Sequence, residues 1–231
     1  MSIQLNSSRR LGWALGAVCA TGFALRVYAL GYGLPGVYNP DEIPILSRAL
    51  AFAKGDPNPH NFLYPSLHFY LLFLWEALYF ILGRLIGWYS SAADFQAQFF
   101  RDPSHLILVG RALTAACGTV TLVAVYRVGS RLFDRSIGLA AAAFMAVAPF
   151  AVRDAHYVKL DVPVTMFATL AQVTIARLVV DPAAATQWRV WLWAGFIAGL
   201  AVSTQYYVVF IAATFVAAAL AEATRNRRWR T

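Results

Sequence analysis

Long apolar stretches separated by short polar segments run along the whole chain. They lie near residues 11–30, 64–88, 105–127, 137–152, 162–179 and 190–222. A helix that crosses a bilayer needs about 20 mostly apolar residues, and most of these stretches approach that length. The last one is long enough for a hairpin of two short helices, broken near Ser203-Thr204-Gln205. The pattern predicts an all-α integral membrane bundle of six or seven transmembrane helices.

Composition agrees with a membrane protein and argues against nucleic-acid binding. Hydrophobic residues make up 60% of the 231 residues and charged residues only 13%. The net charge is +8, but the arginines lie between apolar stretches, where they typically orient helices in a bilayer. Cys19 and Cys117 fall inside apolar stretches, so we expect no disulfide framework.

The N-terminal segment is predicted to be a transmembrane helix that is retained, rather than a cleaved signal peptide. Arg9 and Arg10 precede an apolar stretch that is longer than the core of a signal peptide, and no small-residue cleavage site follows it. We therefore predict a multi-pass protein of the cell (inner) membrane with a cytoplasmic N-terminus.

The distribution of charge bears on whether residues 64–88 cross the membrane. If they lie along the outer interface, 11 basic and 3 acidic residues face the cytoplasm, whereas a crossing would leave 7 basic residues inside and 12 outside. Basic residues are retained on the cytoplasmic side, which favours the interfacial placement. A re-entrant or strongly tilted helix would satisfy the charge rule equally well. The predicted cytoplasmic basic residues are Arg9, Arg10, Arg127, Arg131, Arg135, Arg177, Arg189, Arg225, Arg227, Arg228 and Arg230.

The predicted organisation is a single transmembrane domain, residues 1–231. Its outer loop, 31–104, carries interfacial helices over 43–54 and 64–88. No internal repeat is visible, which weakens the case for a transporter built of repeated halves. Gly195 and Gly199 have the GxxxG spacing that is typical of close helix packing.

The outer loop begins with an acidic pair. Pro40 is favoured in the first turn of a helix, so Asp41 and Glu42 are predicted at a helix start. Capping is the structural interpretation of such carboxylates. The functional interpretation is an ionised carboxylate at the membrane surface that accepts a proton from an incoming hydroxyl or amine.

A second polar segment follows the third predicted crossing. Asp161 is placed to cap the next helix, and Arg153, His156 and Lys159 form a basic cluster on the same side of the membrane as Asp41. Such cations suit an anionic lipid headgroup, although charges that snorkel at helix ends would look the same.

The histidines and one arginine leave further questions open. His60, His68 and His156 match no metal-ligand spacing, so we predict no cofactor; a divalent metal is the alternative if Glu76 lies nearby. Arg26 lies inside the first apolar stretch, where either a functional role or snorkelling accounts for it.

The order of these features resembles family 39 glycosyltransferases. These are GT-C enzymes that include protein O-mannosyltransferases and the aminoarabinose transferase acting on lipid A. The matching segments are Phe23–Arg26, Tyr38–Phe52, Asn61–Leu72, Gly110–Phe133, Ala148–Thr169 and Gly195–Tyr207.

The resemblance implies transfer of a sugar from a polyprenyl-phosphate donor to an acceptor on the extracytoplasmic face. Asp41 matches the family's essential first-loop aspartate and Asp161 the aspartate before the fourth span, so both are predicted catalytic residues. Arg153 and Lys159 are candidates for stabilising the leaving phosphate. The predicted substrate-binding residues are Glu42, Tyr64, Arg153, His156 and Lys159.

The chain departs from the family pattern in length and at two motifs. Leu63-Tyr64 replaces an acidic–basic pair, and Thr204-Gln205-Tyr206 replaces Thr-Lys-Tyr. Family members are much longer, so we expect the C-terminal half of the usual architecture to be absent and a C-terminal partner chain to be a candidate for completing it. The alternatives are a non-catalytic membrane subunit that keeps the GT-C fold and a lipid or sugar transporter.

Overall fold

The computed structural model of the protein describes the backbone of residues 2–228 and the side chains of residues 9–225. The side chains of Arg227, Arg228 and Arg230, three of the predicted cytoplasmic arginines, lie outside the described part.

The described residues form helices and loops without a strand. The elements are α1 (Ser2–Val27), α2 (Glu42–Ala51), the 3₁₀ helix η1 (Phe52–Lys54), α3 (Leu67–Leu85), α4 (Ala92–Arg101), α5 (Ser104–Leu132), α6 (Arg135–Val147), α7 (Pro149–Asp154), α8 (Asp161–Val180), α9 (Pro182–Ala185), α10 (Trp188–Val202), the 3₁₀ helix η2 (Tyr206–Ile211) and α11 (Ala212–Arg228).

Four helical segments of the described chain are long and apolar enough to cross a membrane. They are α3, α5, α8 and the segment Tyr206–Arg225, and α6 and α10 are shorter apolar helices. The helix α1, whose side chains are described only from Arg9 onward, is not among the four. Its predicted crossing stays a prediction. The all-helical membrane bundle is confirmed.

The predicted break in the last apolar stretch is confirmed. The helix α10 ends at Val202 and the next helical turn begins at Tyr206. The chain then reverses its direction along α8. The evidence is that Thr214 contacts Gln172 of α8, and Arg225, further along the chain, contacts the carbonyl of Leu178 near the end of α8. The helices α10 and α11 therefore form a hairpin against α8.

The helix α5 is the centre of the bundle and packs against α1, α6 and α8. Its glycines permit this close packing. A β-carbon on Gly129 would lie 2.7 Å from the Cα of Gly138 in α6, and one on Gly118 would lie 2.7 Å from Nε of Arg26. Side chains larger than hydrogen are therefore excluded at these crossings.

Arg26 has a structural role that neither snorkelling nor a ligand explains. It is fully buried and donates hydrogen bonds to the carbonyl oxygens of Ala146 at 3.1 Å and Met145 at 3.2 Å. Pro149 has no N–H to satisfy the Met145 carbonyl four residues earlier. Arg26 thus caps the C-terminal end of α6 from inside the bundle.

The GxxxG prediction for α10 is wrong within the described chain. A β-carbon on Gly195 or Gly199 would meet no atom within 4 Å. Sequence spacing indicates that a helix face is smooth, but the tertiary structure determines whether anything packs on it. Cys19 and Cys117 are both free, as expected.

The outer loop folds into a helical layer over the beginning of α5. The predicted interfacial helix 43–54 corresponds to α2 and η1, the predicted helix 64–88 corresponds to α3, and α4 was not predicted. Among the described residues, α3 contacts the first part of α5. Trp75 of α3 donates a hydrogen bond to the Val109 carbonyl, and the α5 residues that share a core cluster with α3 lie within 106–113. Length and composition alone would also allow α3 to cross, so its interfacial placement stays a prediction.

Candidate active site at the loop-bearing end of the bundle

Asp41 stands at the start of α2 with a free carboxylate. Its backbone is helical, and its side chain makes no capping hydrogen bond. Asn39 caps the turn instead, since its side-chain oxygen accepts from the Asp41 N–H at 3.1 Å and its carbonyl accepts from the Glu42 N–H at 3.3 Å. Asp41 is exposed. The predicted helix start is confirmed, but the capping interpretation of Asp41 is wrong.

Glu42 has the opposite environment, because protein donors occupy its carboxylate. Arg111 donates through Nε to Oε1 at 2.8 Å and through Nη2 to Oε2 at 2.7 Å. The backbone N–H of Val158 donates to the same Oε1 at 2.9 Å. Both partners of the pair are fully buried. A substrate could reach this carboxylate only by displacing Arg111, and the predicted substrate-binding role of Glu42 stays a prediction.

Arg111 joins the remaining segments of this end of the bundle. Its Nη1 donates to the carbonyls of Leu30 at 2.6 Å and Tyr32 at 2.9 Å, both in the loop after α1. The Glu42–Arg111 pair therefore fixes α2, α5, the loop after α1 and the loop before α8 relative to one another. The sequence offers one signal for this role, because an arginine inside an apolar helix needs a buried partner.

The contact between Glu42 and Val158 brings the two acidic segments together. Asp161 lies three residues after Val158, and it is exposed. It is the first residue of α8, with Leu160 in the capping position and no side-chain cap, so the predicted capping role of Asp161 is wrong.

The structure divides the predicted basic cluster. Arg153 and His156 line a cavity of about 390 Å³ between α1 and α7, together with Arg111 and Tyr157. Lys159 does not line this cavity; its Nζ lies 5.8 Å from the centre of the Tyr157 ring. From their predicted position on the same side of the membrane, we expect Asp41 and Asp161 to line one cavity that opens outward. Neither residue lines the cavity described here, so this expectation stays a prediction.

Arg153 and His156 differ in their partners. Arg153 donates to Asp154 at 2.8 Å in an ion pair near the surface. The ring nitrogens of His156 each lie 2.7 Å from a carbonyl oxygen, of Val152 and of Tyr28. These two contacts join α7 to the loop after α1 through the His156 ring.

The remaining candidate residues pack in the outer layer. Tyr64 is half-buried against the cluster that contains Ile45 and Phe69, and its predicted role in substrate binding stays a prediction. His68 and Glu76 are fully buried, and no described residue is a hydrogen-bond partner of their side chains. Among the described residues, no three histidine, cysteine, aspartate or glutamate side chains group as metal ligands.

Comparison with known proteins adds an identification of the family. The sequence profile of the family described as dolichyl-phosphate-mannose-protein mannosyltransferase matches residues 97–231. The match covers more than half of the chain. The protein belongs to this family. Membership indicates a membrane glycosyltransferase that uses a lipid-linked sugar. Searches of curated proteins and of solved structures find no match.

Proposed function

We propose that the protein transfers a sugar from a polyprenyl-phosphate donor to an acceptor on the extracytoplasmic face of the cell membrane. The observation that supports this most directly is the contrast between two adjacent carboxylates. Glu42 is buried and fully bonded, whereas Asp41 is exposed and makes no hydrogen bond through its side chain to any described residue. The buried pair thus anchors the backbone next to a carboxylate that is free to accept a proton, as a general base must.

In the proposed reaction, Asp41 accepts the proton of the acceptor's hydroxyl or amine. The acceptor's electron pair forms the new bond to the anomeric carbon of the sugar. The bond from that carbon to the phosphate oxygen breaks, and its electrons leave with polyprenyl phosphate. Asp161 positions the acceptor in this proposal.

Lys159 and Arg153 are the candidates for stabilising the charge that develops on the leaving phosphate. Lys159 is the better placed candidate, because no described carboxylate pairs with it. Arg153 already pairs with Asp154 and would have to exchange this partner for the phosphate. An anionic membrane lipid headgroup would bind to the same two cations. In this proposal Lys159 and Arg153 therefore form the binding site for the phosphate of the donor.

The first prediction tests the general base. Asp41→Asn is expected to lower transfer by about 10²–10⁴-fold, the usual contribution of a positioned general base. The protein should still fold, because the Asp41 side chain holds no structural hydrogen bond. Transfer would be measured in membranes with a radiolabelled lipid-linked sugar, and folding by a thermal melt in detergent.

Asp56→Asn is the matched control, since Asp56 is an exposed aspartate of the same outer loop that bonds only to His60 and Asn58. This control should transfer like the wild type. Wild-type turnover by Asp41→Asn would remove Asp41 from the mechanism and favour the scaffold alternative.

A further inference from the structure

A second cavity, of about 530 Å³, lies in the outer layer between the end of α3, α4 and the start of α5. Its walls include Tyr79, Trp88, Tyr89, Gln98 and His105. Neither Asp41 nor Asp161 lines it, and neither do the basic residues of the first cavity. Its volume falls within the range of roughly 300–1,000 Å³ that is typical of small-molecule sites.

The aromatic wall of this cavity is held rigidly. The ring of Tyr89 packs edge-on against Phe95 at 5.0 Å and against Tyr79 at 6.0 Å, and its hydroxyl donates to the Tyr79 hydroxyl at 3.2 Å. Arg84 donates to the Tyr89 carbonyl at 2.7 Å. A β-carbon on Gly83 would lie 2.5 Å from the Tyr89 ring, so only glycine allows this packing on α3.

The outer part of the wall is available to a ligand. Trp88 is 64% exposed, and its ring lies 6.3 Å from that of Tyr79. The side chains of Trp88, Gln98 and His105 have no hydrogen-bond partner among the described residues. An indole N–H, a carboxamide and an imidazole therefore surround the opening as hydrogen-bonding groups.

This combination suits one ligand chemistry better than the others. A pyranose ring has an apolar face of C–H bonds that stacks on an aromatic ring, and hydroxyl groups at its edge that bond to amides and imidazoles. The lining contains no arginine, lysine, aspartate or glutamate to pair with an ionic ligand. An acyl chain would bury the polar groups of Gln98 and His105 without partners, which is costly.

We propose that this cavity binds the pyranose ring of a carbohydrate, at a site separate from Asp41. Trp88 provides the stacking surface, and Gln98 and His105 bind the hydroxyl groups. Whether that ring belongs to the acceptor or to the donor rests on the proposed function, whereas the binding itself does not.

Saturation-transfer NMR on the purified protein tests the binding. The protein is held in a detergent without a sugar headgroup and titrated with methyl α-D-mannopyranoside, methyl β-D-glucopyranoside and methyl α-L-arabinopyranoside, with glycerol as the hydroxyl control. We expect saturation transfer to the C–H face of at least one glycoside and none to glycerol. No transfer to any of the three glycosides would overturn the proposal.

Variants locate the binding. Trp88→Ala and Gln98→Leu should each reduce the signal at least five-fold, whereas Trp193→Ala, which removes a comparably exposed tryptophan outside the cavity, should not. Gln98→Leu keeps the size of the side chain, so it gives a result even if Trp88→Ala fails to fold. An undiminished signal in both cavity variants would contradict the assignment and place the glycoside elsewhere, as in an interfacial aromatic belt.

The same measurements separate this proposal from the proposed function. Asp41→Asn should bind the glycoside like the wild type. If Asp41→Asn also transfers like the wild type, the proposed mechanism fails while the cavity assignment stands. In the transfer assay, Trp88→Ala should raise the KM of only one substrate, which identifies whether the ring comes from the acceptor or from the donor.

Discussion

At the residue scale, Asp41 and Glu42 are chemically similar neighbours that the fold uses in different ways. The Glu42 carboxylate accepts three hydrogen bonds in a dry interior, where an ion pair persists only if nearly every polar atom is bonded. Asp41, one residue earlier, faces outward with its oxygens free. The rotation of about 100° per residue at a helix start is enough to separate the two environments.

The Glu42–Arg111 pair gives a prediction about stability. Glu42→Gln removes the charge that compensates buried Arg111 and turns an amide N–H₂ toward a donor. Removing one partner of a buried pair typically costs about 3–5 kcal/mol. For a protein of this size, that corresponds to a fall of roughly 6–20 °C in Tm. A thermal melt in detergent measures it.

Asp154→Asn is the control for that measurement. It breaks the Arg153–Asp154 pair, whose arginine is 57% exposed, and exposed pairs contribute about 0–1 kcal/mol. A Glu42→Gln protein that melts like the wild type would show that water, rather than protein, solvates Arg111.

At the element scale, glycines with the same helical setting have different roles. Gly118 in α5 gives room for Arg26, which in turn caps α6. Gly195 and Gly199 in α10 face open space within the described chain. The helix-packing motif is therefore present without a packing partner from these residues.

This difference predicts opposite effects of the same substitution. Gly199→Ala should raise stability by about 0.5–1 kcal/mol, because alanine loses less conformational freedom in a helix. Gly118→Ala should lower stability by about 1–3 kcal/mol, since its β-carbon would overlap a fixed guanidinium. Thermal melts of both variants in one detergent provide the comparison. A loss of stability in Gly199→Ala would indicate that a helix does pack on that face.

At the scale of the whole molecule, contacts define two ends of the bundle. One end carries the outer layer, the Glu42–Arg111 pair and the turn between α10 and η2, where the Ser203 carbonyl accepts from the Leu67 N–H at 3.0 Å. At the other end, Arg131 donates to the Val173 carbonyl and Arg225 contacts the end of α8. Arg131 and Arg225, two of the arginines that charge assigns to the cytoplasmic side, thus both contact α8.

The orientation of these ends gives the last prediction. In a Cys19→Ser/Cys117→Ser background, Gln96→Cys should react with a membrane-impermeant maleimide on intact cells, and Ser136→Cys only after lysis. Both positions are exposed. The expectation follows from the 11 basic residues that an interfacial α3 leaves on the cytoplasmic side. The reversed labelling of both positions would show that α3 crosses the membrane.

The sequence by itself determined the elements of this protein. Hydropathy located the long apolar helices but not α4, and the polar triplet 203–205 located the break between α10 and η2, because both depend on the chemistry of neighbouring residues. The acidic pair was correctly placed at a helix start, since the geometry of Pro40 is a local property.

The tertiary structure decided what the polar residues do. Glu42 and Arg111 are 69 positions apart and Arg26 and Ala146 are 120 apart, so no local pattern relates them. A buried charge is stable only where the packing of distant segments brings a partner to it. The packing brings Arg111 and Val158 to Glu42, whereas Asp41 faces outward and has no such partner. Helix periodicity is short-ranged, whereas the satisfaction of buried polar groups is a property of the whole fold.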